Sequence, residues 1–376
     1  MQDKPLISVC MLCYNHEKYV AQSIQSIIDQ TYRNWELIIT DNASTDNSRK
    51  IIEEFAKSDK RIKFSFLDYN SYPSVGINNS INYSMGEYIA IISADDYFLP
   101  NKLDRQIAFM QEHDLDVSFT WMSLVDSNSL MISDERLSYF NPLNIRNYTD
   151  IIKCYLLCQN VTYAPTAMVT KELFNSRLHD NRLLQTQDFE LWLRFSFLTK
   201  KISILNEHLT CYRILNEGTN LSINKSQATK CRTDFEMIYI FEEMTNLDNN
   251  VLSVAINKNV NDNNKLQVLY EYFEANNISL GQFVVLMKIF EILGSDCDVR
   301  SDLFQFFFSK YADLDFRNNK VIKEKEEGIK WLEGQVENYK LSLSQKDDEL
   351  SQKNDELSRI KLSKLYRLGN KLGLIK

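Results

Sequence analysis

The sequence lacks any apolar run long enough to cross a membrane, which takes about eighteen or more uncharged residues. The longest candidate, residues 283–293, is interrupted by Lys288 and Glu291. We therefore expect this segment to form a buried helix. The first five residues also lack a basic stretch leading into an apolar core, so we expect no secretory signal and a cytoplasmic location.

An excess of positive charge is also missing. The 43 Lys and Arg residues are outnumbered by 51 Asp and Glu residues, which gives a net charge of -8 and a pI near 5.3. Proteins that bind nucleic acids hold the phosphate backbone with a basic surface. The composition therefore argues against nucleic acid as a partner.

Cysteine and histidine are scarce. The seven cysteines are an odd number in a chain too long to need disulfides for stability, and the four histidines are scattered. Cys10 and Cys13 form a C-x-x-C, but they lie in the apolar run 7–13, where cysteine behaves as a small hydrophobic residue. We therefore expect reduced cysteines and no zinc or redox site.

The length of 376 residues predicts more than one domain, because one core rarely serves so long a chain. Up to about residue 130, short apolar runs alternate with amphipathic stretches, which is typical of βαβ units and a mainly parallel open sheet. The predicted strands are 7–13, 36–40, 62–67, 88–92 and 117–121. The predicted helices are 18–29, 46–57, 75–84 and 101–112.

Polar residues follow three of the predicted strands. Tyr14 comes after the first, Asp41 and Asn42 come after the second, and Asp95 and Asp96 follow the fourth. In open α/β sheets, ligands bind beyond the carboxyl ends of the strands, where loops converge and helix N-termini direct their N–H groups inward. The sequence therefore predicts a ligand site at this edge of the sheet.

Asp95 and Asp96 are adjacent carboxylates before an aromatic-Pro turn at 97–100. Such a pair can hold a divalent cation, and the cation can in turn hold a negatively charged diphosphate. Alone the pair is a weak signal, because turns and helix caps use the same residues. The motifs around it decide its interpretation.

A series of short motifs, together covering residues 4–222, resembles the family 2 glycosyltransferases. In chain order they are I-S-V at 7–9 before Tyr14, Q-T-Y at 30–32, W-E-L-I-I at 35–39, D-N-A-S-T-D at 41–46, Asn78, G-E-Y-I-A at 86–90, Asp95–Asp96, P-x-K-L at 100–103, Q-D-F-E-L-W-L-R at 187–194, and Tyr212–Arg213. Several independent motifs in the correct order are far more specific than any one of them.

The resemblance implies a GT-A fold, a nucleotide-diphosphate sugar as the donor substrate, and a role for each matching residue. In the Asp95–Asp96 pair, one carboxylate approaches the ribose and the other binds Mg or Mn through the diphosphate, so the predicted metal site includes both residues and Asp95 also belongs to the sugar-donor site. Asp188 acts as the general base, and a single displacement then inverts the anomeric configuration. The remaining residues implied at the sugar-donor site are Tyr14, Asp41, Asn42, Asn78 and Arg213, the last of which starts a loop that closes over the sugar donor.

Two departures from the family pattern weaken the implied metal site. Ser93 stands where many members carry another Asp, and Leu215 stands where many carry a His. Metal affinity is therefore expected to be modest. An alternative is a non-catalytic protein that binds a nucleotide sugar or glycan through a degenerate site.

Two site assignments stay open at the level of sequence. Asp188 precedes a helical stretch, so its carboxylate could serve as a helix N-cap as well as a base. Trp121 and Trp192 could line an acceptor pocket, because sugar rings stack on indole, but a place in the core is the simpler interpretation.

The C-terminal part divides by composition. We assign 1–220 to the glycosyltransferase domain, 221–320 to a helical domain with apolar spacing such as Phe235 and Phe241, 321–360 to a coiled coil, and 361–376 to a basic amphipathic tail. The near-repeat of 344–350 at 351–357 supports heptads, although a single solvated helix would show it too. A third interpretation makes the coiled coil the main functional part.

The tail and the resemblance together suggest a setting and partners. A basic amphipathic segment suits an anionic membrane surface, although packing on the helical domain is an alternative. The resemblance implies synthesis of bacterial surface polysaccharide, such as O-antigen or capsule, on a glycan or lipid-linked acceptor. We therefore expect peripheral contact with the inner face of the cytoplasmic membrane, and association through the coiled coil with a second copy or another protein.

Overall fold

The computed structural model describes residues 4–132, 145, 147–215, 226–295, 306 and 310. All of them fall within one compact unit, Met1–Asp313. The predicted coiled coil at 321–360 and the basic tail at 361–376 lie outside the described residues. So does the predicted boundary at 220–221, which stays a prediction.

The first part of the fold alternates strands and helices as the sequence pattern predicts. The strands are β1 (Ile7–Cys13), β2 (Trp35–Asp41), β3 (Ile62–Phe66), β4 (Tyr88–Ser93), β5 (Tyr97–Phe98) and β6 (Val117–Val125). The helices between them are α1 (Val20–Ile28), α2 (Ser48–Ser58), α3 (Pro73–Tyr83) and α4 (Lys102–Glu112). Every predicted element is present, and most bounds differ from the prediction by no more than a residue or two.

The chain then adds elements that the pattern did not reveal in full. They are α5 (Tyr148–Leu156), a short 3₁₀ turn (Ala164–Thr166), β7 (Met168–Thr170), α6 (Lys171–Ser176), α7 (Gln187–Leu198) and β8 (Ile202–Arg213). The eight strands form one sheet in the order β3-β2-β1-β4-β7-β6-β8-β5.

The sheet is mixed, although its first half is parallel as predicted. β1 pairs in parallel with β2 and β4, and β2 pairs in parallel with β3. The short strand β7 is antiparallel to both β4 and β6, and β5 is antiparallel to β8. Helices cover both faces of parallel sheets, which explains why β2 is buried at all seven of its positions.

Both residues of the C-x-x-C and both predicted core tryptophans are buried. Cys10 and Cys13 are fully enclosed on β1 as free thiols, and burial raises the pKa of Cys13 to about 12. Trp192 packs edge to face on Phe119, with ring centroids 5.2 Å apart, and Trp121 donates a hydrogen bond to an Asn206 side chain. The core interpretation of the tryptophans is confirmed.

Four helices follow, in agreement with the predicted helical region. They are α8 (Gln227–Met244), α9 (Asn249–Ile256), α10 (Lys265–Ala275) and α11 (Ser279–Ser295). The apolar spacing predicted that Phe235 faces inward on α8. In the structure Phe235 is 43% exposed, whereas its neighbour Glu236 is buried. Among the described residues, no helix is both long and apolar enough to cross a membrane.

Candidate active site

The ends of β1, β2 and β4 bring three polar clusters side by side. In the register of the sheet, Cys13 of β1 lies opposite Asp41, and Leu12 lies opposite Ser93. The chain leaves the sheet directly after these positions. The three clusters therefore lie at one edge of the sheet, and ligand binding at this edge stays a prediction.

The loops after β1 and β2 are locked to each other. The Asn15 main-chain nitrogen donates to Ser44 Oγ at 2.8 Å, and the Asn15 side-chain oxygen accepts from the Thr45 main-chain nitrogen at 2.8 Å. Asn15 and Ala43 have φ values of 55° and 64°, in the left-handed region that tight turns use. Tyr14, in the same turn, is 38% exposed and presents its ring at this edge.

Asp41 is a fully buried carboxylate with one oxygen held by the protein. Its Oδ1 accepts hydrogen bonds from the Ser44 main-chain nitrogen at 2.9 Å and from Arg49 Nε at 2.7 Å. Among the described residues, Oδ2 has no hydrogen-bond partner. A buried acceptor without a partner is costly, so this oxygen is suited to a hydrogen-bond donor on a ligand.

Asn42 organises the neighbouring loop. Its side-chain oxygen accepts from the main-chain nitrogen and hydroxyl of Ser71, and its side-chain nitrogen donates to Asn70 and to the Ser71 carbonyl. Ser71 lies two residues before α3. Asn42 thus connects the loop after β2, where the nucleoside is predicted to bind, to the residues just before α3.

Asp95 and Asp96 lie just beyond β4, 7% and 2% exposed. Asp96 Oδ1 accepts a hydrogen bond from the Arg213 main-chain nitrogen at 2.9 Å. Among the described residues, Asp95 Oδ1 and Asp96 Oδ2 have no hydrogen-bond partner. Burial, together with the adjacent Asp95 carboxylate, raises the pKa of Asp96 well above its ordinary value.

This pair fits a divalent cation. Hard cations take oxygen ligands, and a positive charge would offset both the burial and the mutual repulsion of the two carboxylates. Within the described parts of the chain, no group of three or more His, Cys, Asp or Glu side chains is arranged to hold a metal ion. The modest metal affinity expected from Ser93 and Leu215 stays a prediction.

Arg213 is the last residue of β8, contacts this pair and is 1% exposed. Its Nε donates to the Asp95 carbonyl at 2.8 Å, and its two terminal nitrogens donate to the Asp126 carbonyl and to Gln22 Oε1. The guanidinium also lies over the Tyr19 ring, 4.6 Å from its centroid. These contacts give Arg213 a role in holding the Asp95–Asp96 turn, while its predicted contact with the sugar donor stays a prediction.

Asp188 lies in a second cluster, at the start of α7. Thr186 is the N-cap residue of this helix and Asp188 is inside its first turn, so the alternative of Asp188 as the N-cap is wrong. Its side chain is 30% exposed, and its Oδ1 lies 3.5 Å from Nε2 of the buried His179. A partly exposed carboxylate with one buried neighbour is suited to proton transfer with a ligand.

Asn78 belongs to this second cluster. From α3 it donates to the His179 carbonyl at 2.8 Å and to Asn181, and its oxygen accepts from the His179 main-chain nitrogen. The His179 ring nitrogen Nδ1 lies 3.3 Å from the same oxygen. Asn78 therefore contacts His179, which in turn lies beside Asp188, and the predicted contact of Asn78 with the sugar donor stays a prediction.

Two histidines without an assigned role in the sequence lie beside predicted site residues. His16 Nε2 is 3.9 Å from Asp95 Oδ2, and His179 contacts Asp188 as described. No local motif marks either one. The position of His16 two residues after Tyr14 was the available signal, whereas His179 meets Asp188 only through tertiary packing.

Comparison with known proteins identifies the family of this chain. The sequence profile described as Glycosyl transferase family 2 matches residues 8–170. An uncharacterized glycosyltransferase of Methanocaldococcus jannaschii is 35% identical over 228 residues, which are 60% of this chain and 76% of the relative. A glycosyltransferase of Escherichia coli, WfgD, named as a UDP-Glc:alpha-D-GlcNAc-diphosphoundecaprenol beta-1,3-glucosyltransferase, is 28% identical over 235 residues, or 62% of this chain and 85% of that protein.

A solved structure supports the fold. TarS of S. aureus in complex with UDP-GlcNAc superposes with a TM-score of 0.53 at 21% identity, covering 73% of each chain. The open sheet, the ordered motifs and the relatives agree with one another. The chain belongs to glycosyl transferase family 2.

Proposed function

We propose that this glycosyltransferase takes a sugar from a nucleotide-diphosphate sugar and transfers it to an acceptor hydroxyl with inversion at the anomeric carbon. The observation that carries the proposal is the turn after β4. There two buried carboxylates, Asp95 and Asp96, each keep one oxygen that has no hydrogen-bond partner among the described residues, while Arg213 donates hydrogen bonds to the Asp95 carbonyl and the Asp96 carboxylate.

The nucleoside belongs at the ends of β1 and β2. Asp41 Oδ2 is an acceptor for a ribose hydroxyl or a base N–H, and the exposed Tyr14 ring offers a face for the base. UDP is the first nucleotide to test, since the E. coli relative is named for UDP-Glc and the TarS structure holds UDP-GlcNAc.

Asp95 and Asp96 would hold Mg or Mn at this site. The cation would neutralise negative charge on the leaving diphosphate, which carboxylates alone repel. The chain contributes the fixed geometry of the turn, because Arg213 pins both the Asp95 carbonyl and the Asp96 carboxylate. Preorganised groups of this kind need no rearrangement when charge develops.

Asp188 is the proposed general base. Its carboxylate takes the proton of the acceptor hydroxyl while that oxygen attacks the anomeric carbon from the face opposite the diphosphate. The bond to the diphosphate oxygen breaks as the new glycosidic bond forms. One displacement of this kind inverts the configuration.

The proposed acceptor is a glycan or lipid-linked sugar of a bacterial surface polysaccharide. In support, WfgD is named for a diphosphoundecaprenol-linked acceptor, and TuaG of Bacillus subtilis, 31% identical over 229 residues that are 60% of this chain and 85% of TuaG, is named for teichuronic acid biosynthesis. Contact of the basic segment 361–376 with the inner face of the cytoplasmic membrane, and association through 321–360, belong to this proposal.

The test is turnover, measured as nucleoside diphosphate released from a panel of UDP-, GDP- and dTDP-sugars. We expect one sugar donor to be used, and Asp188→Asn to lower its turnover by about 100-fold or more without weakening nucleotide binding. Asp104→Asn, on α4 with a side chain that is about half exposed, is the matched control. Nucleotide binding without turnover in the wild-type protein would instead support the non-catalytic binding protein.

A further inference from the structure

Glu236 of α8 is a buried carboxylate, 3% exposed, whose two oxygens accept four hydrogen bonds from one short segment. Oε1 accepts from the Leu184 main-chain nitrogen at 2.9 Å. Oε2 accepts from the main-chain nitrogens of Gln185 and Thr186 at 2.8 and 2.9 Å and from the Thr186 hydroxyl at 3.1 Å. Helix α8 lies outside the matched range 8–170.

The segment bound by Glu236 leads directly into α7, which carries Asp188. Burying a carboxylate costs free energy unless hydrogen bonds satisfy its oxygens, and here three consecutive N–H groups and a hydroxyl do so. These N–H groups lie at the positive end of the α7 dipole, which further favours a negative charge. Glu236 therefore holds the backbone of the segment that leads into α7, in addition to any packing between the two helices.

The other side of this segment is held by α3. Ser74 Oγ donates to the Leu183 carbonyl at 3.0 Å, and Asn78 donates to the His179 carbonyl at 2.8 Å. The chain from His179 to Thr186 is thus bonded on one side to α3, which packs on the sheet, and on the other side to Glu236, which belongs to the helical region. Asp188 follows two residues later.

We propose that Glu236 is a positioning residue for the reaction: it holds residues 184–186 so that the first turn of α7 presents the Asp188 carboxylate to the acceptor hydroxyl. This inference rests on the proposed function of Asp188 as the base. It also gives the helical region a role, which is to position the segment that carries the proposed base. Glu236 itself does not contact substrate, because both of its oxygens are occupied by the protein.

The amide in Glu236→Gln keeps the shape of the side chain but turns one acceptor into an NH₂ group that faces N–H donors. We expect faster hydrogen exchange at the amides of residues 184–186, a fall in turnover of between about 10- and 100-fold, and UDP affinity with Mn²⁺ within about twofold of wild type. Glu236→Asp, which keeps the charge, should recover part of the turnover.

Glu243→Gln is the matched control. Glu243 lies on the same helix and binds Arg194 of α7 at 2.7 Å, but it accepts no hydrogen bond from residues 184–186. If Glu236→Gln does not fold, Thr186→Val replaces it. The Thr186 side chain makes no capping hydrogen bond to α7, so this change removes only its bond to Glu236.

The outcomes separate this inference from the function on which it rests. If Asp188→Asn loses turnover while Glu236→Gln, or Thr186→Val in its place, behaves like Glu243→Gln, Glu236 has no positioning role and the proposed function stands. If Asp188→Asn keeps full turnover, the base assignment fails and the positioning role fails with it. Unchanged exchange at 184–186 in Glu236→Gln would also overturn the inference.

Discussion

The main-chain nitrogen of Arg213 donates a hydrogen bond to Asp96 Oδ1 at 2.9 Å, so the end of β8 fixes the carboxylate that follows β4. The guanidinium adds a bond to the Asp95 carbonyl at 2.8 Å. The two motifs that contain these residues are more than a hundred positions apart in sequence. Their contact brings the two motifs together in one candidate site.

Replacing Arg213 by Lys should damage both folding and nucleotide binding. Lysine cannot reproduce the forked bonds to the Asp95 and Asp126 carbonyls and to Gln22. We expect the free energy of unfolding to fall by roughly 3 to 5 kcal/mol. Affinity for UDP with Mn²⁺ should fall about tenfold or more, because the turn is no longer fixed.

Urea denaturation and calorimetric titration measure the two effects of Arg213→Lys. Arg105→Lys serves as the control, since Arg105 is half exposed and pairs with Glu207 on the surface. Wild-type affinity in a folded Arg213→Lys protein would show that the turn does not depend on this side chain.

His179→Phe should slow turnover and leave nucleotide binding intact. The change keeps an aromatic ring beside Phe174 but removes the nitrogen that lies 3.5 Å from Asp188 Oδ1. We expect a decrease in turnover of about tenfold, because Asp188 loses a neighbour that orients it. His179→Gln, which can still donate, should be less affected, and His113→Phe should behave like wild type.

The buried Lys102 should make stability depend on pH. It is fully buried, donates to Gln106 Oε1 at 2.5 Å, and burial lowers its pKa from 10.5 to about 7. Between these values the unfolded chain holds a proton that the folded chain has released. Stability therefore rises with pH over this range, since the unfolded state binds more protons.

Lys102→Met isolates this effect from the other groups that titrate in the same range. From about pH 7.5 to about pH 9, the unfolding free energy of the wild type should gain about 1 to 2 kcal/mol relative to the variant. Urea denaturation of both proteins at each pH measures the difference. An equal response of the two proteins to pH would show that Lys102 is protonated in the folded state.

Asp41→Asn should weaken nucleotide binding whether or not a metal is present. Oδ2 of Asp41, which has no hydrogen-bond partner in the described part of the chain, is the proposed acceptor for the nucleoside, and a hydrogen bond to a charged group is worth about 1.5 to 3 kcal/mol. We expect UDP affinity to fall by roughly 10- to 100-fold, both with Mn²⁺ and with EDTA. A loss seen only with Mn²⁺ would place Asp41 at the cation instead.

Local sequence signals were enough for the parallel half of the fold. The strands β1 to β4 are apolar runs, and the helices between them have amphipathic spacing, so element type follows from the sequence alone. β7 has only three residues and β5 only two, too few for a pattern. In β8, Asn206 to His208 break the alternation where the pairing with β6 is irregular.

Part of the candidate site could be predicted from local sequence, and part of it could not. The position of Asp41, Asp95 and Asp96 at one edge of the sheet could be predicted, because strand ends in a parallel sheet meet there. Glu236 and His179 could not, since their partners come from distant segments that only tertiary packing brings together. On α8 the apolar pattern even pointed to Phe235, whereas the neighbouring carboxylate faces inward because backbone N–H groups satisfy it.

The most direct test of the account is calorimetric titration of the full chain with UDP, GDP and dTDP, each with Mn²⁺ and with EDTA, on wild type and Asp96→Asn. We predict that one nucleotide binds more tightly with Mn²⁺ and that Asp96→Asn abolishes this gain while keeping the metal-independent binding. Equal binding of that nucleotide with Mn²⁺ and with EDTA, or a gain that survives in Asp96→Asn, would contradict a cation site at Asp95 and Asp96.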